Sequence, residues 1–521
     1  MYESWSNEND HGAIYCALVP NDAVVRSLSD PSWDLSIGQG RPTCIVRYLQ
    51  GGEKEIRYNR FGNDAGVEPF VIVRDFHGVR EKSVELVEEF RLLHNLFAVP
   101  RSGRLLRFDD AGEEHEVVRL EDSRVLVQAR ELRQFLAIKD ASLVLQIDSV
   151  AHSPLTLKEL APSECDISHV ASDRCVSFQV IAKDFPSRGN KSFSRLLGKR
   201  VIEGVAKSES GIWPYGEDQP ESYPELIIGA DENGDPARCT CDPGKLAHYF
   251  GANPNAQHYL TPTYFRREVL QRYYNNPQRY TVEDGAIRCA GLWLLHIDNH
   301  LTDVVAAYLG DLGRDLPESE RQHWLPHNVL ADEGISKAKW QRDFLAEPAD
   351  PERPDLLFKY RFGQFQTAWL EKFGWPLFVP LTTGDAHLFS TLREPLNEYQ
   401  GEFDSQVLAL TKLLIDSLNE KQLVASLGSV PADTKGISKL ELFLNQDSLP
   451  EAEKTVTFLR TLQSLRSTGV GHRKGSGYEK AAAAFDLPNV GLRLGFRTIL
   501  QRATDEVLVT IGDHLLPSTW K

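Results

Sequence analysis

The hydrophobic period changes once along this chain, and the change limits its possible folds more than any other feature. From about residue 402 onward, apolar residues recur every three or four positions, the spacing of one helix face. In EFDSQVLALTKLLIDSLNEKQLVASL, Phe403, Val407, Leu410, Leu414 and Leu418 fall on one side. SKLELFLNQ reads as a shorter helix. PEAEKTVTFLRTLQSLRS reads as a third, opening on a proline that a first helical turn tolerates. NVGLRLGFRTILQRATDEVLVTIGDHL is a fourth, with Leu492, Phe496, Ile499 and Ala503 on one face. Four helices within about 120 residues predict a compact bundle.

Upstream the pattern is mixed. At 521 residues the chain exceeds one ordinary core, which predicts roughly two to four domains. EPFVIVRDF, followed by His77, reads as a strand, and SLVLQIDS as another. VREKSVELVEEFRLLHNL places Leu86, Phe90 and Leu93 at helical spacing, and ARELRQFLAIKDA reads as a short helix. CVSFQVIAKD alternates as a strand, GIWPYGEDQPESYPE is a loop, and YFRREVLQRYY spaces Phe265, Val269 and Tyr273 as a helix. IRCAGLWLLHIDNHLTDVVAAYLGDLG reads as two β segments around a polar Asp298-Asn299-His300 turn. AEPADPERPD is a connector. After it, Phe362, Phe365, Trp369 and Phe373 form an aromatic helical stripe best read as core. The expected organisation is α+β and multidomain: a mixed β/α domain over 1–150, an α+β middle domain over 151–345 with a sensing or regulatory role, a connector and helical segment over 346–401, and an all-α bundle over 402–521.

Charge narrows the function classes. The chain carries a net −16, so its overall field repels phosphate, and any nucleic-acid role needs a local basic patch. One exists in the sequence. Residues 460–502 hold eight basic residues (Arg460, Arg466, Arg473, Lys474, Lys480, Arg493, Arg497 and Arg502) against Glu479 and Asp486, a net +6 that leaves −22 on the rest. Seven scattered cysteines fit reduced thiols in the cytoplasm. The polar, acidic N-terminus does not read as a signal peptide. No run approaches 18 apolar residues, so neither a transmembrane helix nor a membrane partner is expected.

The densest basic stretch is FLRTLQSLRSTGVGHRKGSGYEK, where Arg466 precedes His472 across two glycines. Histidine moves protons near neutral pH, and arginine offers a fixed charge and a fork of donors to phosphate. Together they can cleave RNA without metal. The imidazole draws the proton from a ribose 2′-hydroxyl and the guanidinium holds charge building at phosphorus. A second acid must protonate the leaving oxygen, and a facing pair from another copy would supply it. Six positions along an ideal helix leave the two side chains about 120° and about 9 Å apart. Gly469 and Gly471 predict a helix end or bend between them.

A C-terminal helical bundle carrying R-x(4–6)-H on its third helix resembles the HEPN domain, found in bacterial toxins, abortive-infection proteins and RNA-cleaving CRISPR effectors. The resemblance covers residues 402–521. It implies a metal-independent endoribonuclease of anti-phage defence or toxin type, acting as a homodimer or higher oligomer without a cofactor, with Arg466 and His472 as catalytic residues. Asp416 and Asn419 on the first helix would orient the histidine. Ser467 stands where many such motifs place Asn, Asp or His. Arg460, Arg473, Lys474, Lys480, Arg493 and Arg497 would hold RNA. The long N-terminal region would restrain the nuclease until a phage-derived or nucleic-acid trigger arrives.

Other readings compete. Arg and His near a helix C-terminus also complement its dipole, and the bundle could be a non-catalytic dimerisation or RNA-docking module. HIDNH aligns His296, Asp298 and His300 for a metal if extended, which together with residues up to Asp315 would suit a metal-dependent nuclease; a polar hairpin tip is the structural account. Cys239, Cys241 and His248 lack the spacing and the fourth ligand of a structural zinc site. LGDLGRDLPESE, with Asp311, Asp315, Glu318 and Glu320, reads as a loop and a capped helix start. The chain has no P-loop, Rossmann fingerprint or G-x-S-x-G, which disfavours ATP, NAD and serine-hydrolase chemistry.

Overall fold

Alternating apolar and polar residues build the first part of the chain into a long antiparallel sheet. The computed structural model describes residues 2–5, 10–29, 42–60, 66–121, 124–160, 167–187, 189–216, 221–331, 334–431, 433–446, 448–469 and 475–520. It divides into two units, Met1–Asp109 with Glu113–Pro220, and Asp110–Gly112 with Glu221–Lys521.

In the first unit the elements that matter are β1 (Tyr2–Trp5), β2 (His11–Pro20), α1 (Val24–Ser29), α2 (Glu88–Leu93), α3 (Ala129–Lys139), β3 (Ala141–Ser153), β4 (Ile167–Ser172), β5 (Val176–Ser187) and β6 (Asn190–Ile202). The strands run in the order β1-β2-β3-β6-β5-β4, and Glu68–Pro69 pairs with β2. Register places Leu143 opposite Leu18 and Ile202, facing a core with Phe90 and Phe135 of α2 and α3. The next residues, Ala17, Val144 and Val201, face the other way and meet Leu28 of α1. This is the period-2 alternation of a sheet covered on both sides.

Three expectations change here. The boundary placed at 150 falls inside β3, where Val150 pairs with both His11 and Arg195, so no domain can end there. EPFVIVRDF splits into Glu68–Pro69 and Val71–Arg74. In VREKSVELVEEFRLLHNL, Ser83–Leu86 is a strand paired with Val71–Arg74, and the helix begins only at Glu88. Val84 and Leu86 alternate, and cross-strand pairing overrides the helical spacing they also fit.

The second unit begins as α+β. It contains β7 (Glu225–Ala230), β8 (Pro236–Thr240), β9 (Pro262–Arg266), α4 (Gln271–Tyr274), β10 (Tyr280–Glu283), β11 (Ala286–Cys289), β12 (Trp293–His296), β13 (Val304–Tyr308), α5 (Leu309–Asp315), α6 (Glu318–Trp324) and α7 (Lys337–Phe344). YFRREVLQRYY is not one helix: β9 runs to Arg266, a 3-10 turn follows, and α4 is a single turn. Tyr264 and Phe265 are both buried and pair with Ala306 and Val305 of β13. The expected hairpin around Asp298-Asn299-His300 shrinks to one antiparallel bridge, Asp298 with Ala306 of β13. β11 pairs with β12 instead, and β13 pairs with β9. Every residue of β13 is buried, so it runs inside the fold. LGDLGRD, expected as a loop, is α5. Gly313 there lies against the Cys241 carbonyl with no room for a side chain.

The rest is helical: α8 (Pro354–Phe373), α9 (His387–Thr391), α10 (Gln400–Thr411), α11 (Glu420–Leu427), α12 (Gly436–Gln446), α13 (Ala452–Gly469), α14 (Ser476–Ala484), α15 (Leu487–Arg502) and α16 (Thr510–Leu515). The aromatic stripe of α8 enters one core with Phe403, Leu410, Leu462 and Phe496, as the sequence predicts for a buried stripe. That shared core starts the helical region at Pro354, not at 402, and confines the connector to residues 346–353. The expected four helices are also interrupted. The first run breaks at Ser417–Asn419 after a π turn over Lys412–Asp416, and the last passes through a π turn over Ala503–Val509. α14, from SGYEKAAAA, has no counterpart in the predicted set. The chain is thus α+β with a helical C-terminal region. Among the described residues no helix is long and apolar enough to cross a membrane.

Candidate functional site

Arg466 reaches its position because α13 buries its opposite face. Val456, Leu459, Leu462 and Leu465 are in the core, which leaves Arg466 at the helix edge one turn before its end. Its NH1 donates to Asp416 Oδ1 at 2.9 Å, with the two side chains 31% and 39% exposed. Asp416 is presented by the π turn that closes α10. The break after that turn is pinned from outside: Val379 N–H donates to the Ser417 carbonyl at 2.7 Å and Asn419 N–H to the Leu377 carbonyl at 2.8 Å. Asn419, expected to orient the histidine, caps α11. Its side chain accepts from Gln422 N–H and donates to the Pro376 carbonyl. Ser467 donates to the Ser464 carbonyl of its own helix. His472, Arg473 and Lys474 lie outside the described residues, as does Gly471, and the chain resumes at Gly475.

The basic window looks different once folded. Arg460 pairs with Glu441 at 2.6 Å and Arg493 with Asp303 at 3.0 Å. Arg497 forms a two-pronged pair with Glu394 at 2.8 and 3.0 Å. Arg502 does the same with Glu506 and stacks over Phe458 and Phe485. Every one of these carboxylates lies outside residues 460–502, so these arginines are offset by partners that a count over the window omits, from Glu506 one turn beyond it to Asp303 far upstream. Lys480 is exposed on α14.

Glu394 belongs to a buried network that sequence reasoning missed. Arg353 donates to Asp355 at 3.1 Å and to Glu394 at 2.9 Å, and Arg267 donates to the carbonyls of Asn299 and Leu301. Burial pushes the Arg267 guanidinium down to about 10, reinforced by the Arg353 charge. Burial works to raise the Asp355 carboxyl, but Arg353 outweighs it and holds the group well below the usual range. The signal available in the sequence was Arg353-Pro354-Asp355 at the end of the connector.

The residues considered for metal do not converge. His296 is exposed at the end of β12, while Asp298 is fully buried and accepts from the backbone of His300 and Ser336. His300 contacts Asp284 at 2.6 Å, and Arg342 grips the same carboxylate at 2.9 and 2.6 Å. Burial tends to raise Asp284, and these hydrogen bonds overcome it, holding the carboxyl at about 2. The acidic run is likewise structural. Asp311 accepts from Tyr259, and Glu320 accepts from Tyr273 at 2.6 Å at a site with no exposure. α6 starts without a side-chain cap. Burial raises the Cys241 thiol to about 11, far from a ligating thiolate. Among the described residues no group of three or more His, Cys, Asp or Glu could hold a metal ion.

Comparison with protein-family models, curated proteins and solved structures finds no match to this chain.

Proposed function

We propose that the chain is an endoribonuclease that cleaves RNA without a metal, using Arg466 and His472 in a HEPN-like C-terminal region, and that it serves in defence or as a toxin. The observation that carries this reading is the Arg466–Asp416 pair. It fixes a guanidinium at the end of α13, six residues before the only histidine of the basic stretch. In the proposed step His472 takes the 2′-hydroxyl proton and the 2′-oxygen bonds to phosphorus. The bond to the 5′-oxygen breaks, and a histidine from a second copy returns a proton to that oxygen. Arg466 stabilises the charge at phosphorus. The N-terminal region would restrain this activity until a trigger binds.

The test is RNA cleavage by the full chain in EDTA, comparing wild type with His472→Ala and Arg466→Ala. Each variant should lose about 100-fold or more in rate. Equal rates for wild type and His472→Ala would remove the histidine from the mechanism. A second reading, a non-catalytic dimerisation or RNA-docking module, draws support from Ser467, which bonds back to the Ser464 carbonyl of its own helix. It predicts RNA binding that survives His472→Ala and weakens steeply with salt.

A further inference from the structure

In the first unit, the segment TCIVRYLQGGEKEIRYN folds into a hairpin that no other described strand joins. Strand Thr43–Tyr48 pairs with strand Lys54–Asn59, and Gly51 and Gly52 supply the positive φ of the turn between them. A two-stranded hairpin alone is marginal in water, and its open edges are templates for another strand. One face of this hairpin is apolar yet exposed. Val46 lies opposite Ile56, flanked by Tyr48 and Tyr58, and Ile56 and Tyr58 are 67% and 66% exposed. Exposed apolar surface of this kind marks an interaction site.

Hydrogen-bond alternation decides which groups face the open edge. Leu49 N–H donates to the Glu53 carbonyl at 2.9 Å, so Leu49 and Glu53 are a bonded pair. Bonded and non-bonded pairs alternate along an antiparallel ladder, which makes Arg47–Glu55 and Ile45–Arg57 bonded and Val46–Ile56 not. The N–H and C=O groups of Lys54, Ile56 and Tyr58 therefore point to the outer edge. Charge then selects the occupant. A second copy of the same strand can approach antiparallel with Ile56 opposite the partner's Ile56, forming about six backbone hydrogen bonds. That register sets Glu55 opposite the partner's Arg57, and Arg57 opposite the partner's Glu55. It also sets Lys54 opposite the partner's Tyr58, a cation over a ring. Sliding by two residues in either direction puts Glu55 opposite Glu55 or Arg57 opposite Arg57, which is repulsive. The other edge has no such match, because pairing with a copy about Val46 sets Ile45 opposite the partner's Arg47.

We propose that the outer edge of strand Lys54–Asn59 binds a second copy of this chain about a two-fold axis at Ile56, joining two hairpins into one four-stranded sheet. The claim does not depend on RNA cleavage or on any contact of the helical region. Its test is a disulfide that only this register allows. Full-length chains carrying Glu55→Cys and Arg57→Cys, both with Cys44→Ser, are mixed and oxidised with diamide. The mixture should form a covalent dimer at least tenfold faster than either variant alone, because residue 55 meets residue 57 and not itself. Adding Ile56→Pro to both chains should remove that excess. The Ile56 N–H points outward, so the proline takes no bond from the hairpin, and the melting curve should not change. Sedimentation of the wild type should show association that Ile56→Pro weakens at least tenfold. A mixture that oxidises no faster than its components would overturn the proposal, whatever other surfaces associate the chain, and so would an excess that survives Ile56→Pro. A wild type that stays monomeric at high micromolar concentration would also overturn it and leave the edge to a strand of a different protein.

Discussion

At the residue scale, Asp416 is a positioning residue in the proposed site, because it acts through Arg466. Their ion pair is partly exposed, so its loss should change stability by no more than about 1 kcal/mol. Its effect should appear in kcat. Asp416→Ala should lower the RNA cleavage rate with little change in melting temperature. Asp416→Asn, which keeps an acceptor for the guanidinium, should recover part of the rate. Equal rates in the two variants would show that the acceptor does not matter. Asp284 gives a prediction of another kind. Its folded pKa of about 2 lies below the ordinary aspartate value of about 3.9, so its contribution is complete above the unfolded value and is lost as pH falls toward the folded one. In denaturant titrations, wild type should therefore be more stable than Asp284→Asn near neutral pH. The two midpoints should approach each other on acidification, and a gap independent of pH would contradict this.

At the element scale, the helical runs were legible because their cores follow a local period: Phe403, Val407 and Leu410 are buried as their spacing requires. The breaks were not, because distant residues set them. Leu377 holds the bend at Asn419. Within α15, Gly491 turns to a φ of 83°, and the Glu398 carboxylate accepts the N–H groups of Leu492 and Arg493 beyond it. Gly491→Ala forces a side chain into a positive-φ, extended backbone that glycine alone adopts readily, beside Glu398, and should cost about 1–3 kcal/mol in urea unfolding. The buried network gives the larger effect. Glu394 is 2% exposed between Arg353 and Arg497, and Glu394→Ala leaves both cations without it. The expected loss is about 3–5 kcal/mol. A loss within 1 kcal/mol would mean the network relaxes around the gap. Strands were harder to read than helices for the same reason. Ser83–Leu86 pairs with Val71–Arg74 across a short turn, and Pro262–Arg266 pairs with Val304–Tyr308 much further along the chain, so both owe their conformation to partner strands.

At the scale of the whole molecule, the sequence conveyed the α+β character and the helical C-terminal region but misplaced the divisions. The chain separates near residue 220, not at 150, because β3, β5 and β6 belong to one sheet. Charge was misread in the same way. A window of sequence sums neighbours along the chain, whereas Asp303, Glu394, Asp416 and Glu441 reach the basic window only through the fold. Among the described residues the candidate site comprises Arg466, legible from its motif, and Asp416, whose proximity rests on the π turn. The central claim concerns the attacking group, and the ends of the cut RNA report it most directly. If a ribose 2′-hydroxyl attacks, cleavage in EDTA leaves a 2′,3′-cyclic phosphate and a free 5′-hydroxyl. Fragments carrying a 5′-phosphate and a 3′-hydroxyl, formed only when a divalent metal is present, would instead identify metal-activated water as the nucleophile and contradict the account.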